Sequence, residues 1–559
     1  MSAQILTPTA VWGGFEITEQ VLATVLKEKR IKDVVISTLD ITGKTTENSS
    51  VIMRAHLAKN AQASVSGAIL MALGANDDYD EKVVYDLAKS GYLVLSINPC
   101  GTNTELEYTS YPQELSYADY SLVKDNLYDL TFGIKKNCWY EWGVTLRYAL
   151  KYLKSITGVA KVGVIGINHS ATPLWQLAST DLEGIDCAVM VGNAGWSVYK
   201  GIHKWSGELD PQFNDDALKI LAGIEPQAYA KSITCPVLML SPTNSGEYDV
   251  DRAFDTVERV EGYSAVYYSV GHINGVDYNS YENIKEFFGK HLTLGARKTK
   301  LPSSPEIKAE LVDGKFEFEV LPDKIRKEGE GLKEVFVYVS EGCIDPKYRS
   351  YYKVNGIEKG GKYYFEYTPY YQSKNIVAYA NATYETGYTV SSPIICKKFN
   401  AEQIKKACKS TVVYSNRKIN GESVFAGLTE RLFDYENDGK VLVKNGPMDI
   451  SGVRADKGLI TFKVNAEKDC PKNDAILLLD LFLKEAGEFS VSLVCDMFGA
   501  KTEYKANVSV SGGKVWHNVM LEIGKFKSSE GRVLKNYQGI NAIIFNCEST
   551  YLINNVLWI

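Results

Sequence analysis

None of the ten cysteines, scattered from Cys100 to Cys547, belongs to a C-x-x-C pair, so neither a zinc ribbon nor a redox motif can be read from them. They read as buried thiols. The chain also lacks an uninterrupted apolar run of membrane-spanning length, and MSAQILTPTAVWGGFEITEQ has no basic n-region followed by an apolar h-region. As written, it reads as a soluble cytoplasmic protein with no membrane partner; an extracellular location follows instead if a leader was trimmed. Positive charge is not in excess. The net charge of -6 offers no electrostatic footprint for nucleic acid. His56, His291 and His517 are too dispersed to form a metal cluster, and neither metal nor cofactor is expected.

What is present is ordinary globular composition, 45% hydrophobic and 23% charged, in a chain of 559 residues that is too long for one core. Several domains are expected. Tyrosine stands out, 36 residues against 19 Phe and 8 Trp. Its ring is apolar and its hydroxyl polar, which suits sugar or protein contacts, and β-sandwich packing favours it too.

From Ala68 onward short apolar runs alternate with amphipathic stretches, the pattern of βαβ units around a mostly parallel sheet. SGAILMALG, YLVLSINPCG, KVGVIGIN, DCAVMVGNAG, CPVLMLSP and SAVYYSVGH read as strands. EKVVYDLAKSG, WYEWGVTLRYALKYLKSI and YNSYENIKEFFGKHL read as helices. The text before Ala68 reads as antiparallel strands and a helix added in front of the sheet. The basic linker 296–302 then leads to alternating segments such as KFEFEV and EVFVYVSE, so 303–398 is expected to be a small immunoglobulin- or fibronectin-like sandwich. Residues 399–559 are again nearly all β and fit a jelly roll. There are no repeats of fixed period.

The strand KVGVIG runs into Gly166-Ile167-Asn168-His169-Ser170-Ala171 and then the helix TPLWQLAS. A nucleophile on such a strand-to-helix turn is strained and crowded, and is flanked by small residues in the pattern G-x-S-x-G. That register places Asn168 at the nucleophile position and Ser170 at the second small position. With WYEWGVTLRYALKYLKS before it and TDLEGIDCAVMVGNAGW after it, this run resembles acetyl-xylan and cephalosporin-C type deacetylases of the α/β-hydrolase superfamily. The likeness runs from Trp12 to His291 and is dense only around the turn. It implies an α/β-hydrolase domain over residues 1–295, and removal of acyl groups from sugars by Ser, His and Asp.

Carried over position by position, the resemblance assigns the catalytic histidine to His272 in VGHINGVD and the acid position to Ser245, just after Asn244. Asp249 and Asp251 lie four and six residues further on and substitute only if the loop bends back. The oxyanion region comprises Gly74, Ala75 and His169, in text that lacks the usual His-Gly-Gly run. An amide nitrogen is delocalised and non-nucleophilic, so Asn168 cannot replace serine, although Asn does tolerate positive φ. The leading expectation is a pseudo-hydrolase that binds a small-molecule or carbohydrate ligand. An active esterase using Ser170 with His272 and Asp249 or Asp251 is the second, and a structural or assembly protein the third. The sequence 399–559 also resembles galactose-binding-like carbohydrate-binding modules in KVWHNVMLEIGKF, INAIIFNC and YLINNVLW, with Trp516 and Trp558 read as core residues. Nothing in the chain sets an oligomeric state.

Overall fold

A computed structural model describes residues 5–45, 49–77, 79–101, 108–156, 158–181, 184–207, 211–273, 275–293, 300–324, 329–369, 375–400, 412–417, 419, 421–429 and 439–559. Most of the expected linker 296–302 lies outside the described residues. The chain divides into two compact units: the first holds residues 1–241, 247–267 and 282–303, the second 242–246, 268–281 and 304–559.

The first unit is built on strands β1 (Ala23–Ile31), β2 (Val34–Lys44), β3 (Ser50–Asn60), β4 (Gly67–Ala72), β5 (Tyr92–Ile97), β6 (Val162–Ile167), β7 (Cys187–Val191), β8 (Val237–Pro242) and β9 (Ser264–Ser269). Their order across the sheet is β1-β2-β3-β5-β4-β6-β7-β8-β9. The first three strands and the β3–β5 pair are antiparallel, and from β5 through β4, β6 and β7 to β8 the pairing is parallel. β4 to β8 are buried along their whole length, as strands covered by helices on both faces must be. That crossover order, with β5 and β4 exchanged, is the α/β-hydrolase arrangement. Asp80 caps the helix Glu81–Lys89 by accepting from the Lys82 and Val83 amides, and Asn137 caps Cys138–Ser155 through Tyr140. The latter helix is nearly enclosed because Trp139 and Trp142 fill the space beneath it.

The second unit is mostly β. A four-stranded sheet, in the order Glu306–Val312, Lys315–Leu321, Lys362–Tyr367, Gly356–Lys359, lies against strands Leu332–Glu341 and Tyr352–Val354 through the Tyr352–Tyr367 ring contact. Further along the chain a six-stranded and a five-stranded sheet meet, with Phe489 of one against Tyr551 of the other. Along Leu477–Leu483 buried and half-exposed residues alternate, as a strand with one face on a core requires. Two short stretches from the N-terminal half complete this unit. Gly246 is covered by the Phe498 ring, Gly271 by Ala426, and Ile273 packs on the core formed by Ala426, Ile460, Phe462, Val494 and Ala542.

Of the nine cysteines among the described residues, five are buried and four half-buried, so the expectation of buried thiols is met only in part. No helix of the described residues is long and apolar enough to cross a membrane.

Candidate active-site elbow

Asn168 sits where β6 turns into the helix Ala171–Thr180, with φ at 50°, in the left-handed region. Its neighbours explain why the sequence tolerates this. A Cβ on Gly166 would lie 2.9 Å from the Ala171 Cα and 2.8 Å from Leu174 Cδ2, and one on Gly192, just after β7, would lie 2.8 Å from Asn168 Oδ1. Only glycine fits at either place, so strand and helix approach as closely as a nucleophile turn demands.

The polar groups of this turn are engaged with one another. Asn168 Nδ2 donates to both carboxylate oxygens of Asp77 at 3.0 Å. Asp77 Oδ2 also accepts from the Gly74 amide at 2.9 Å, and the Asp77 amide donates back to the Gly74 carbonyl at 3.1 Å. Gly74 is one of the expected oxyanion donors, and its N–H is therefore turned to a carboxylate of the chain itself. Asn98 Nδ2 holds the same Gly74 carbonyl at 2.8 Å. Ala75 follows, buried. His169 is half-buried with its ring edge-on to Tyr120 at 5.2 Å, and burial pulls its imidazole below the ordinary histidine range while Glu247 opposes that shift.

Ser170 is fully buried. Its hydroxyl donates to the Leu73 carbonyl at 2.5 Å and lies 3.6 Å from Cys100 Sγ. Asp249 is paired with the Arg252 guanidinium and accepts from the Arg252 amide; burial raises its carboxyl, and Arg252 pulls the other way. Asp251 is buried, and Lys204 Nζ donates to its carbonyl at 3.1 Å.

Ser245 and His272 belong to the second unit. Ser245 is buried behind Asn244, whose amide donates to the carbonyls of Lys347 (3.1 Å) and Arg349 (2.8 Å) and whose backbone N–H donates to the His272 carbonyl at 3.0 Å. His272 is 9% exposed. Its Nδ1 lies 3.2 Å from the Val270 carbonyl, and its Nε2 has no hydrogen-bond partner among the described residues.

Sequence reasoning missed Asp77. A carboxylate three residues after Gly74 is the spacing of a turn in which the side chain answers a backbone amide, and that signal was available in LGAND. Among the described residues no group of His, Cys, Asp and Glu could hold a metal ion.

No family model matches the chain, and no curated protein matches it. Among solved structures it is similar to acetyl xylan esterase 1 from Thermoanaerobacterium sp. JW/SL YS485, at 12% identity over 46% of this chain and 83% of that one, with a TM-score of 0.32. It is also similar to an acetyl xylan esterase from Paenibacillus sp. R4, at 13% identity over 47% and 85%, with a TM-score of 0.35. For Est1E from Butyrivibrio proteoclasticus, solved with ferulic acid bound, the values are 12%, 43% and 96%, and 0.32. The fold stands on the strand order and the turn described above.

Proposed function

We propose that the first unit is an α/β-hydrolase scaffold that has given up serine chemistry and acts as a binding module for a small-molecule or carbohydrate ligand. The observation that carries this reading is the bond from the Asn168 amide to the Asp77 carboxylate. The lone pair of an amide nitrogen is delocalised into its carbonyl and makes a poor nucleophile, and here the Asn168 nitrogen is also committed as a donor. A carboxylate held by the Gly74 amide would meet a developing oxyanion with like charge, the reverse of what acyl transfer requires. The burial of Ser170 and its bond to the Leu73 carbonyl argue against the esterase built on that serine.

The test is fluorophosphonate labelling with intact-mass readout on the wild type, Asn168→Ser, Ser170→Ala and the double variant Asp77→Asn/Asn168→Ser. The wild type should remain unlabelled. Labelling that disappears in Ser170→Ala would overturn the proposal. Labelling of the double variant beyond that of Asn168→Ser alone would identify Asp77 as an internal occupant of the oxyanion position.

A structural or assembly role is the second reading. It is favoured by the loops that carry Ser245 and His272, which are packed under Phe498 and Ala426 and end in Ile273 within an apolar core. We further read 303–398 as an immunoglobulin- or fibronectin-like sandwich and 399–559 as a jelly roll, each supported by its pair of packed sheets.

A further inference from the structure

The chain as a whole carries a net charge of -6, yet one surface of its last β segment inverts that sign. Two open cavities adjoin there. The first, of about 560 Å³, is lined by Lys505, Asn507, Glu522, Gly524, Lys525 and Lys527. The second, of about 630 Å³, shares Lys505 and Lys527 with it and adds Lys501 and Arg532. The added cations are answered, Lys501 by Glu503 at 3.5 Å and Arg532 by Glu530 at 2.7 Å. Lys505, Lys525 and Lys527 make no ion pair among the described residues, with Glu522 or with any other acid.

The backbone fixes where these lysines stand. Thr502–Val510 is the edge strand of the five-stranded sheet, and Ala506, 3% exposed, turns inward between the exposed Lys505 and Asn507. Phe526, fully buried, does the same between the exposed Lys525 and Lys527. Lys505 and Lys527 then meet across an antiparallel bridge: the Lys505 amide donates to the Lys527 carbonyl at 2.8 Å, and the Lys527 amide to the Lys505 carbonyl at 3.1 Å. Residues that exchange both bonds stand about 5.5 Å apart at Cα, and like charges placed directly opposite repel. Lysine on an edge strand ordinarily guards it against pairing with another chain. That role does not account for Lys505, whose N–H and C=O are already taken by Lys527. Two cations are thus set face to face, without an acid to answer them, where the edge is already covered.

We propose that Lys505, Lys525 and Lys527, with the Asn507 carboxamide, bind a small ligand carrying two or more linked phosphate groups. An ammonium group is a point charge with three donors, which suits phosphate oxygens, and three of them along one cavity call for more than one anionic centre. The cavity volume falls within the roughly 300–1,000 Å³ of small-molecule sites. A nucleic acid or other long polyanion would meet Glu503, Glu522 and Glu530 along the same surface, so the charge pattern favours a compact ligand. The site is independent of the Asn168 turn, and labelling results there leave it untouched.

Calorimetric titration of the full chain with inorganic tripolyphosphate tests it, at fixed low ionic strength, with orthophosphate and a single-stranded oligonucleotide as comparison ligands. Tripolyphosphate should bind one per chain, about tenfold or more tighter than orthophosphate, and more weakly as salt is raised. The double variant Lys505→Gln/Lys527→Gln should weaken it about tenfold or more, while melting no earlier than the wild type because a repulsion has been removed. Lys514→Gln/Lys535→Gln removes the same charge from exposed positions outside both cavities and should leave the affinity within about twofold. No binding of tripolyphosphate, equal affinities in the two double variants, or an oligonucleotide bound more tightly than tripolyphosphate overturns the proposal.

Discussion

The Asn168 turn and the His272 loop treat buried polarity in opposite ways. At the turn, the Asn168 amide, the Asp77 carboxylate, the Gly74 amide and the Ser170 hydroxyl are all answered by neighbours within hydrogen-bond distance. In the second unit His272 Nε2 and Asp469 Oδ1 are buried without a partner among the described residues, and Lys463, 3% exposed, donates to the Val412 carbonyl. A satisfied network carries no desolvation debt, whereas unanswered buried groups carry a cost that a ligand, water or change of protonation can relieve. The turn holds Asn168 in the left-handed region with its amide answered; the loop holds an imidazole beside apolar packing.

Four measurements would break or sharpen this contrast. Gly166→Val forces side-chain atoms into Leu174 and the backbone of Ala171, and should cost about 3 kcal/mol or more, read as an early melting transition or loss of soluble protein. If it melts like the wild type, the close approach at the turn is wrong.

Lys463 gives the next effect. Burial holds its ammonium down to about 8, while Asp469 opposes that shift. A folded value below the ordinary lysine range means that the fold prefers the neutral amine. Stability should therefore rise as pH climbs from about 8 towards the unfolded value near 10.5, by up to about 3 kcal/mol. Lys468, raised by Tyr352 and Asp469 against its own desolvation, loses its contribution only above that window. Thermal melts between pH 7 and 10 should show the rise in wild type and its absence in Lys463→Met.

Asp77→Ala leaves the Asn168 amide and the Gly74 N–H without their acceptor, and about 2 kcal/mol of destabilisation is expected in chemical denaturation. A neutral result would mean that water replaces the carboxylate and that the turn is more open than its bonds suggest. Ser170→Ala is the smallest of the four. It should lose about 1 kcal/mol and leave fluorophosphonate labelling as it was.

Much of the first unit was legible because buried parallel strands write themselves as apolar runs. SGAILMALG, KVGVIGIN and DCAVMVGNAG each contain the strand found there. The position of Asn168 on the turn was legible too, since Gly166 and the helix after it constrain the backbone locally. For Asp77 only the local turn in LGAND was legible; its bond to Asn168 was not, because that partner lies 91 positions away. Trp516, half-buried rather than in the core, was misread for a related reason. An apolar run such as KVWHNVMLEI does not say which face of its strand is covered, and only the register Asp480↔Asn518 reveals that the residues flanking His517 point outward.

The composition of the second unit has a consequence in time. Residues 242–246 and 268–281, with Ser245 and His272, leave the ribosome long before Phe498, Ala426 and Phe462, against which they are packed. Chains fold from the N-terminus as they are made. β4 to β8 can therefore close while these two loops still wait, and the last act of synthesis is to seat them. A nascent chain halted at Ser303 would carry β4 to β8 already made and two unplaced loops, one of them bearing His272.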